Sequence, residues 1–133
     1  MKLYQVKAND HFIGRQKELY IIADLQKKEE AQILICYGRR RVGKTELIEQ
    51  AFRKTKLLKF EGLKGKNQTE EIKHFLSQLS DYAEEPIYRE LPFTTWKQCF
   101  ELLAKKTAKG AWTIYFEELQ WMACYSSDLV ADL

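Results

Sequence analysis

Residues 38–45 have the residue types and the spacing of a phosphate-binding loop, G-x-x-x-x-G-K-[ST]. They are Gly38, Arg39, Arg40, Arg41, Val42, Gly43, Lys44 and Thr45. The two glycines allow a curl in which successive N–H groups point at phosphate oxygens. Lys44 would neutralise the terminal phosphates, and the Thr45 hydroxyl would ligate the Mg²⁺ ion that bridges them. The motif predicts nucleotide binding with magnesium, and the role of the three arginines stays open between phosphate, a partner and water.

Two adjacent glutamates, Glu117 and Glu118, are the second candidate for chemistry, because they directly follow an apolar run at residues 113–116. Magnesium in a phosphate-loop site takes a carboxylate partner from the end of a neighbouring strand. In this interpretation Glu117 holds the metal through water, and Glu118 polarises the attacking water as general base. A solvated turn would show the same two residues, so the interpretation depends on the phosphate loop.

Three apolar runs predict the strands that must position these residues. The run at 33–37 ends at Gly38 and is typical of a strand buried on both faces. The runs at 57–60 and 113–116 predict two further strands. The phosphate loop would then follow the first strand, and the two glutamates would follow the third.

Four stretches with apolar residues at helical spacing predict helices between these strands. The first extends from about residue 15 to residue 30, and the second follows the phosphate loop. Asn67 would cap a third helix that Pro86 closes, and Thr94 or Thr95 would cap a fourth that Gly110 breaks. The apolar faces of the last three consist of Leu47, Ile48, Ala51 and Phe52; of Ile72, Phe75, Leu76, Leu79 and Tyr82; and of Trp96, Cys99, Phe100 and Leu103. Alternating strands and helices predict an α/β fold.

The composition favours one globular domain over residues 1–133 and excludes several classes of protein. An apolar content of 45% with a net charge of +3 excludes a disordered chain. Three widely spaced cysteines suggest neither a zinc site nor a disulfide framework. The start of the chain lacks the apolar segment of a signal peptide, and no run approaches the ~18 apolar residues of a membrane span. A cytoplasmic protein without a membrane partner is therefore expected.

Three segments resemble motifs of the prokaryotic, especially archaeal-type, P-loop ATPases of the AAA-like, STAND-related superfamily. Residues 12–19 resemble the opening F-[IV]-G-R-x-x-E-L, and residues 37–48 resemble the loop Y-G-R-R-R-V-G-K-T-x-L-[IL]. Residues 116–121 resemble the acidic motif, a hydrophobic residue followed by D-E-[FL]-Q-W. The resemblance implies ATP as the nucleotide, with Ile13, Gly14 and Arg15 beside the adenine. It also implies a three-layer P-loop NTPase-type parallel sheet with flanking helices.

The chain departs from this family pattern in two ways. Glu117 stands where the family usually has aspartate, which puts the metal geometry and turnover in doubt. The family's last core strands and arginine finger would lie beyond Leu133, so the chain resembles the N-terminal portion of an ATPase domain with an incomplete sheet. Two strand orders stay open: the AAA-like order 5-1-4-3-2, in which the missing fourth strand separates the first from the third, and a kinase-like order 2-3-1-4-5, in which those two pair directly.

The hypothesis favoured by these observations is an ATP-binding P-loop module that hydrolyses ATP if its site is completed. The alternative is a non-hydrolysing, nucleotide-dependent switch that orders a surface for a protein or DNA partner. A small-molecule kinase ranks third, because nothing after Glu118 offers a recognisable acceptor site. The resemblance raises a homo-oligomer as an expectation, whereas the sequence gives no support for nucleic-acid binding.

Overall fold

The computed structural model describes four stretches of the chain: residues 2–6, 16–26, 44–52 and 55–122. These residues fall into two compact units. The larger unit contains residues 2–4 and 55–122, and the smaller contains residues 5–6, 16–26 and 44–52. Each unit has its own buried residues.

The smaller unit consists mainly of two helices, α1 (Gln16–Gln26) and α2 (Lys44–Phe52). The two helices pack against each other. Ile22 of α1 and Leu47 and Ile48 of α2 are buried, as the helical spacing of the apolar residues predicts. The helix predicted from about residue 15 to residue 30 is confirmed over 16–26, and the strand predicted at 33–37 lies outside the described residues.

The larger unit is built on two parallel strands, β1 (Lys56–Glu61) and β2 (Trp112–Glu117). They pair in register from Lys56 opposite Trp112 to Glu61 opposite Glu117. Both predicted strands are confirmed, and each is one residue longer at either end than its apolar run. A parallel pair with helices between and beside its strands confirms the α/β class. The β1–β2 pairing occurs in both strand orders considered above, so it does not choose between them.

Helix α3 (Gln68–Ala83) packs along one face of this strand pair and begins where the sequence predicts. The Asn67 side chain accepts a hydrogen bond from the Glu70 N–H at 2.9 Å, which satisfies one of the unpaired N–H groups of the first turn. The predicted apolar residues Ile72, Phe75, Leu76 and Leu79 are buried. After a left-handed residue at Glu84, a short 3-10 helix begins at Pro86 (Pro86–Glu90).

Helix α4 (Trp96–Lys106) has Thr95 as its cap, which decides between the two threonines. Thr95 and Gln98 form a reciprocal capping box. The expectation that Gly110 breaks this helix is wrong, because α4 ends at Lys106 and the Thr107 hydroxyl donates to the Leu103 carbonyl at 2.9 Å. Gly110 instead has a φ of 89° in the turn that leads to β2.

An aromatic cluster around Phe60 forms the core of the larger unit. The Phe60 ring stacks on Phe75 with centroids 4.6 Å apart and also contacts Phe116 and Tyr82. Cys99 lies in the same core, and burial raises the pKa of its thiol to about 12. Cys99 is a free cysteine, and its burial confirms its predicted place on the apolar face of α4.

The outer edge of β1 is covered by side chains and by the N-terminal segment. The Tyr82 hydroxyl accepts from the Lys59 N–H at 3.2 Å and donates to the Lys59 carbonyl at 2.7 Å. Gln78 accepts from the Glu61 N–H, and the Tyr4 N–H donates to the Leu57 carbonyl at 2.8 Å. These contacts satisfy the polar groups that an edge strand would otherwise present for pairing. They mark β1 as a terminal strand of the sheet.

Candidate functional site

The predicted site residues are described to different extents. Six loop residues (Gly38, Arg39, Arg40, Arg41, Val42 and Gly43) and the predicted adenine segment (Ile13, Gly14 and Arg15) lie outside the described residues. Lys44 and Thr45 are the first two residues of α2, and their side chains also lie outside the description. A helix directly after the loop is the context that the motif requires. Glu117 and Glu118 are described in full.

The two glutamates occupy the point where β2 ends. Glu117 is the last residue of the strand, and Glu118 has a left-handed φ of 58° before the short helix α5 (Leu119–Met122). Because parallel strands end at the same edge of a sheet, the residues that follow β1 and β2 are neighbours. This edge is where ligands bind in open parallel sheets.

Gly62, the first residue after β1, packs directly against this turn. Its N–H donates to the Glu117 carbonyl at 2.9 Å, which extends the strand pairing by one step. A Cβ atom at Gly62 would lie 2.4 Å from the Glu118 carbonyl oxygen and 3.0 Å from Met122 Cγ. Only glycine fits there without displacing the turn that carries Glu118. A glycine directly after a strand is a signal of close backbone approach, and it went unused in the sequence analysis.

The buried carboxylate of Glu71, on α3, holds Leu63, the residue that follows Gly62. Glu71 accepts a hydrogen bond from the Leu63 N–H with both oxygens, at 2.9 and 3.2 Å. Its residue exposure is 2%, and this burial raises the pKa of Glu71 while the Leu63 N–H opposes the shift. Glu71 therefore holds the segment that packs against the Glu118 turn. Nothing in the sequence distinguishes Glu71, because a glutamate near the start of a helix is ordinary on an exposed face.

The Glu117 carboxylate forms an ion pair with a lysine of the neighbouring strand. Lys59 Nζ lies 2.9 Å from Glu117 Oε2, and the two side chains are only 13% and 17% exposed. Lys59 lies opposite Tyr115 in the register, so it reaches Glu117 diagonally across the strand pair. Lys59 lies in the strand-like run at 57–60, and nothing in the sequence indicates that it contacts Glu117.

The donor chemistry at this edge fits a magnesium ion in part. Magnesium commonly takes one or two protein carboxylates together with phosphate oxygens and water. Among the described residues no group of three or more His, Cys, Asp or Glu could hold a metal, and Glu117 supplies one carboxylate at this edge. Its Oε2 atom is the oxygen that pairs with the Lys59 ammonium.

The comparison that decides the family is a match to the model of an ATPase domain predominantly from Archaea, over residues 12–132. The chain belongs to this ATPase family. The matched residues include all of the phosphate loop and both glutamates.

A relative of this chain from Methanocaldococcus jannaschii bears the name of an uncharacterized ATP-binding protein. It is 39% identical over 46 residues, which are 35% of this chain and 78% of the relative. Among solved structures none matches the chain significantly. Within the part of the chain that the structure describes, no helix is long and apolar enough to cross a membrane.

Proposed function

We propose that the chain binds Mg-ATP through residues 38–45, with Lys44 on the terminal phosphates and the Thr45 hydroxyl on the magnesium ion. The observation that carries this proposal is a complete phosphate-loop motif that leads into α2, inside the segment matched to an ATPase family. A relative named for ATP binding supports ATP as the nucleotide.

The finer assignments rest on the resemblance to AAA-like, STAND-related ATPases. On that basis Ile13, Gly14 and Arg15 lie beside the adenine, and residues 1–133 form the N-terminal portion of the ATPase domain. Assembly into a homo-oligomer is a further expectation from this resemblance, and a cytoplasmic location is an expectation from the sequence. A sedimentation experiment with and without Mg-ATP would test the oligomer.

For hydrolysis, Glu118 is the proposed general base and Glu117 the carboxylate near the metal. Bound magnesium would neutralise charge on the phosphates during transfer. Glu118 would accept the proton of the attacking water, and the left-handed turn fixes where its side chain starts. Gly62 supports that turn by direct backbone contact.

The test of binding is the shift that Mg-ATP causes in the thermal unfolding of the chain. A ligand that binds only the folded state raises the Tm as its concentration exceeds the Kd. The native chain should show such a rise, and Lys44→Ala should show none. Lys64→Ala, which removes an exposed lysine from the turn after β1, is the matched control and should behave as the native chain does. An equal shift in the native chain and in Lys44→Ala would contradict the proposal.

The test of hydrolysis is phosphate release from ATP by the native chain and by Glu118→Gln. Release that falls by about 100-fold or more in the variant would support Glu118 as the base. Binding without release by the native chain would favour the non-hydrolysing switch.

A further inference from the structure

Lys59 has an environment built to hold a positive charge against Glu117. Besides the 2.9 Å ion pair, its ammonium donates to the Tyr4 hydroxyl at 3.4 Å. The same ammonium lies 5.0 Å from the centre of the Tyr4 ring and 5.7 Å from that of Tyr115. Tyr4 is itself anchored, because its N–H donates to the Leu57 carbonyl.

From this geometry we propose that Lys59 is a positioning residue that competes with magnesium for the Glu117 carboxylate. Lys59 thereby sets how strongly magnesium promotes nucleotide binding. This inference rests on the proposed function. It adds that Lys59 is the partner within the protein that magnesium would have to displace from Glu117.

Competition follows from the atoms involved. Magnesium reaches a carboxylate either directly or through one of the waters that it keeps, and both contacts use a lone pair of the carboxylate oxygens. An ammonium at 2.9 Å occupies one side of Oε2 and neutralises the carboxylate. The Lys59 ammonium would also repel a magnesium ion bound beside Glu117. This repulsion is strong where the site is little exposed to water. Loss of Lys59 also frees the carboxylate to rotate, but ordering one side chain is a smaller effect than removing a charge.

The position of Glu117 in the register explains why the pair forms. Glu61, a like charge, lies directly opposite Glu117 in the strand pair. Like charges directly opposite each other are unfavourable, whereas Lys59 offers the opposite charge on the diagonal.

The test compares two dissociation constants of the full chain for ATP, one measured in excess EDTA and one in excess MgCl₂. The quantity compared between variants is the ratio of the EDTA value to the MgCl₂ value, which rises when magnesium promotes binding more strongly. This ratio measures the coupling between metal and nucleotide, and the affinity of free ATP for magnesium cancels between variants. Lys59→Met keeps the length of the side chain and removes its charge. We expect it to raise the ratio about tenfold. Lys56→Met, the same change at an exposed lysine of β1 whose ammonium lies over Trp112, should leave the ratio unchanged.

Two further variants keep the inference falsifiable. Lys59→Arg retains the charge and should keep a ratio near the native value, even if Lys59→Met folds poorly. In a Glu117→Gln background, Lys59→Met should no longer raise the ratio. An unchanged or lowered ratio in Lys59→Met, or an equal rise in both backgrounds, would overturn the inference.

Failure of the proposed function would look different from failure of this inference. If the native chain binds ATP in neither condition, the proposed function and this inference are both wrong. If it binds ATP and only the expected changes at residue 59 are missing, the proposed function stands and the competition is wrong.

Discussion

The two faces of the β1–β2 pair are made by the same twelve residues and have opposite character. One face carries Leu58, Phe60, Ile114 and Phe116, which pack into the core with α3 and α4. The other face changes along each strand from Leu57 through Lys59 to Glu61, and from Thr113 through Tyr115 to Glu117. It therefore becomes charged toward the edge where the candidate site lies. Because successive side chains of a strand point to opposite faces, the same two strands contribute residues to the core and to the candidate site.

The largest expected effect is a lower free energy of unfolding when a buried side chain of the core face is truncated. Phe60 is fully buried at the centre of the aromatic cluster. Phe60→Ala should lower the free energy of unfolding by about 3–5 kcal/mol, because it removes buried apolar surface and leaves a cavity. Chemical denaturation measures this directly. Phe60→Leu should cost much less, because it fills most of the cavity, and equal losses for the two variants would show that the missing ring and not the cavity causes the loss.

An intermediate loss of stability is expected for a substitution of Gly62, the residue that follows β1. Gly62→Ala places a Cβ against the Glu118 carbonyl, so the turn must shift, at a cost of about 1–3 kcal/mol. If Glu118 is the base, phosphate release should fall as well. Gly65→Ala is the control, because Gly65 has a φ of 77° with nothing within 4 Å, so its cost of about 1 kcal/mol is backbone strain alone. Gly65→Ala should leave phosphate release unchanged, and a similar loss of release in both variants would remove the special role of Gly62.

The smallest effect is expected at Glu71 and appears as a pH dependence. Burial raises the pKa of this carboxyl, so the folded state holds its proton more tightly than the unfolded state. The resulting stability is complete below the ordinary value of 4.5 and is lost as the pH rises through the raised pKa. Relative to Glu71→Gln, which still accepts from Leu63, the native chain should lose stability as the pH rises above 4.5. Unfolding measured from acid to neutral pH checks this, and a stability difference that does not change with pH would contradict it.

The elements of the fold are predictable from the sequence wherever the signal is local. Asn67 and Thr95 cap their helices, and the apolar residues of α3 are buried. The end of α4 has no signal in the apolar spacing, because it is marked by Thr107, whose N–H and hydroxyl both donate to the Leu103 carbonyl. The short helix α5 and the 3-10 helix are too short to show a periodic pattern.

The contacts that shape the candidate site were not predictable from one sequence, because they join distant residues. Lys59 meets Glu117, and Gly62 meets Glu118, only through the register of β1 with β2. A shift of one residue would turn these side chains to the other face. The types of Glu117 and Glu118 indicate chemistry from the sequence alone, whereas the partners of Glu117 required the structure.

Nucleotide binding is measured most directly by calorimetric titration of the chain with Mg-ATP, performed on the native protein and on Lys44→Ala. The native chain should bind with micromolar affinity, a binding free energy of about −8 kcal/mol, and the variant should lose this binding. A folded native chain that gives no binding heat, or a Lys44→Ala variant that binds as tightly as the native chain, would contradict this expectation.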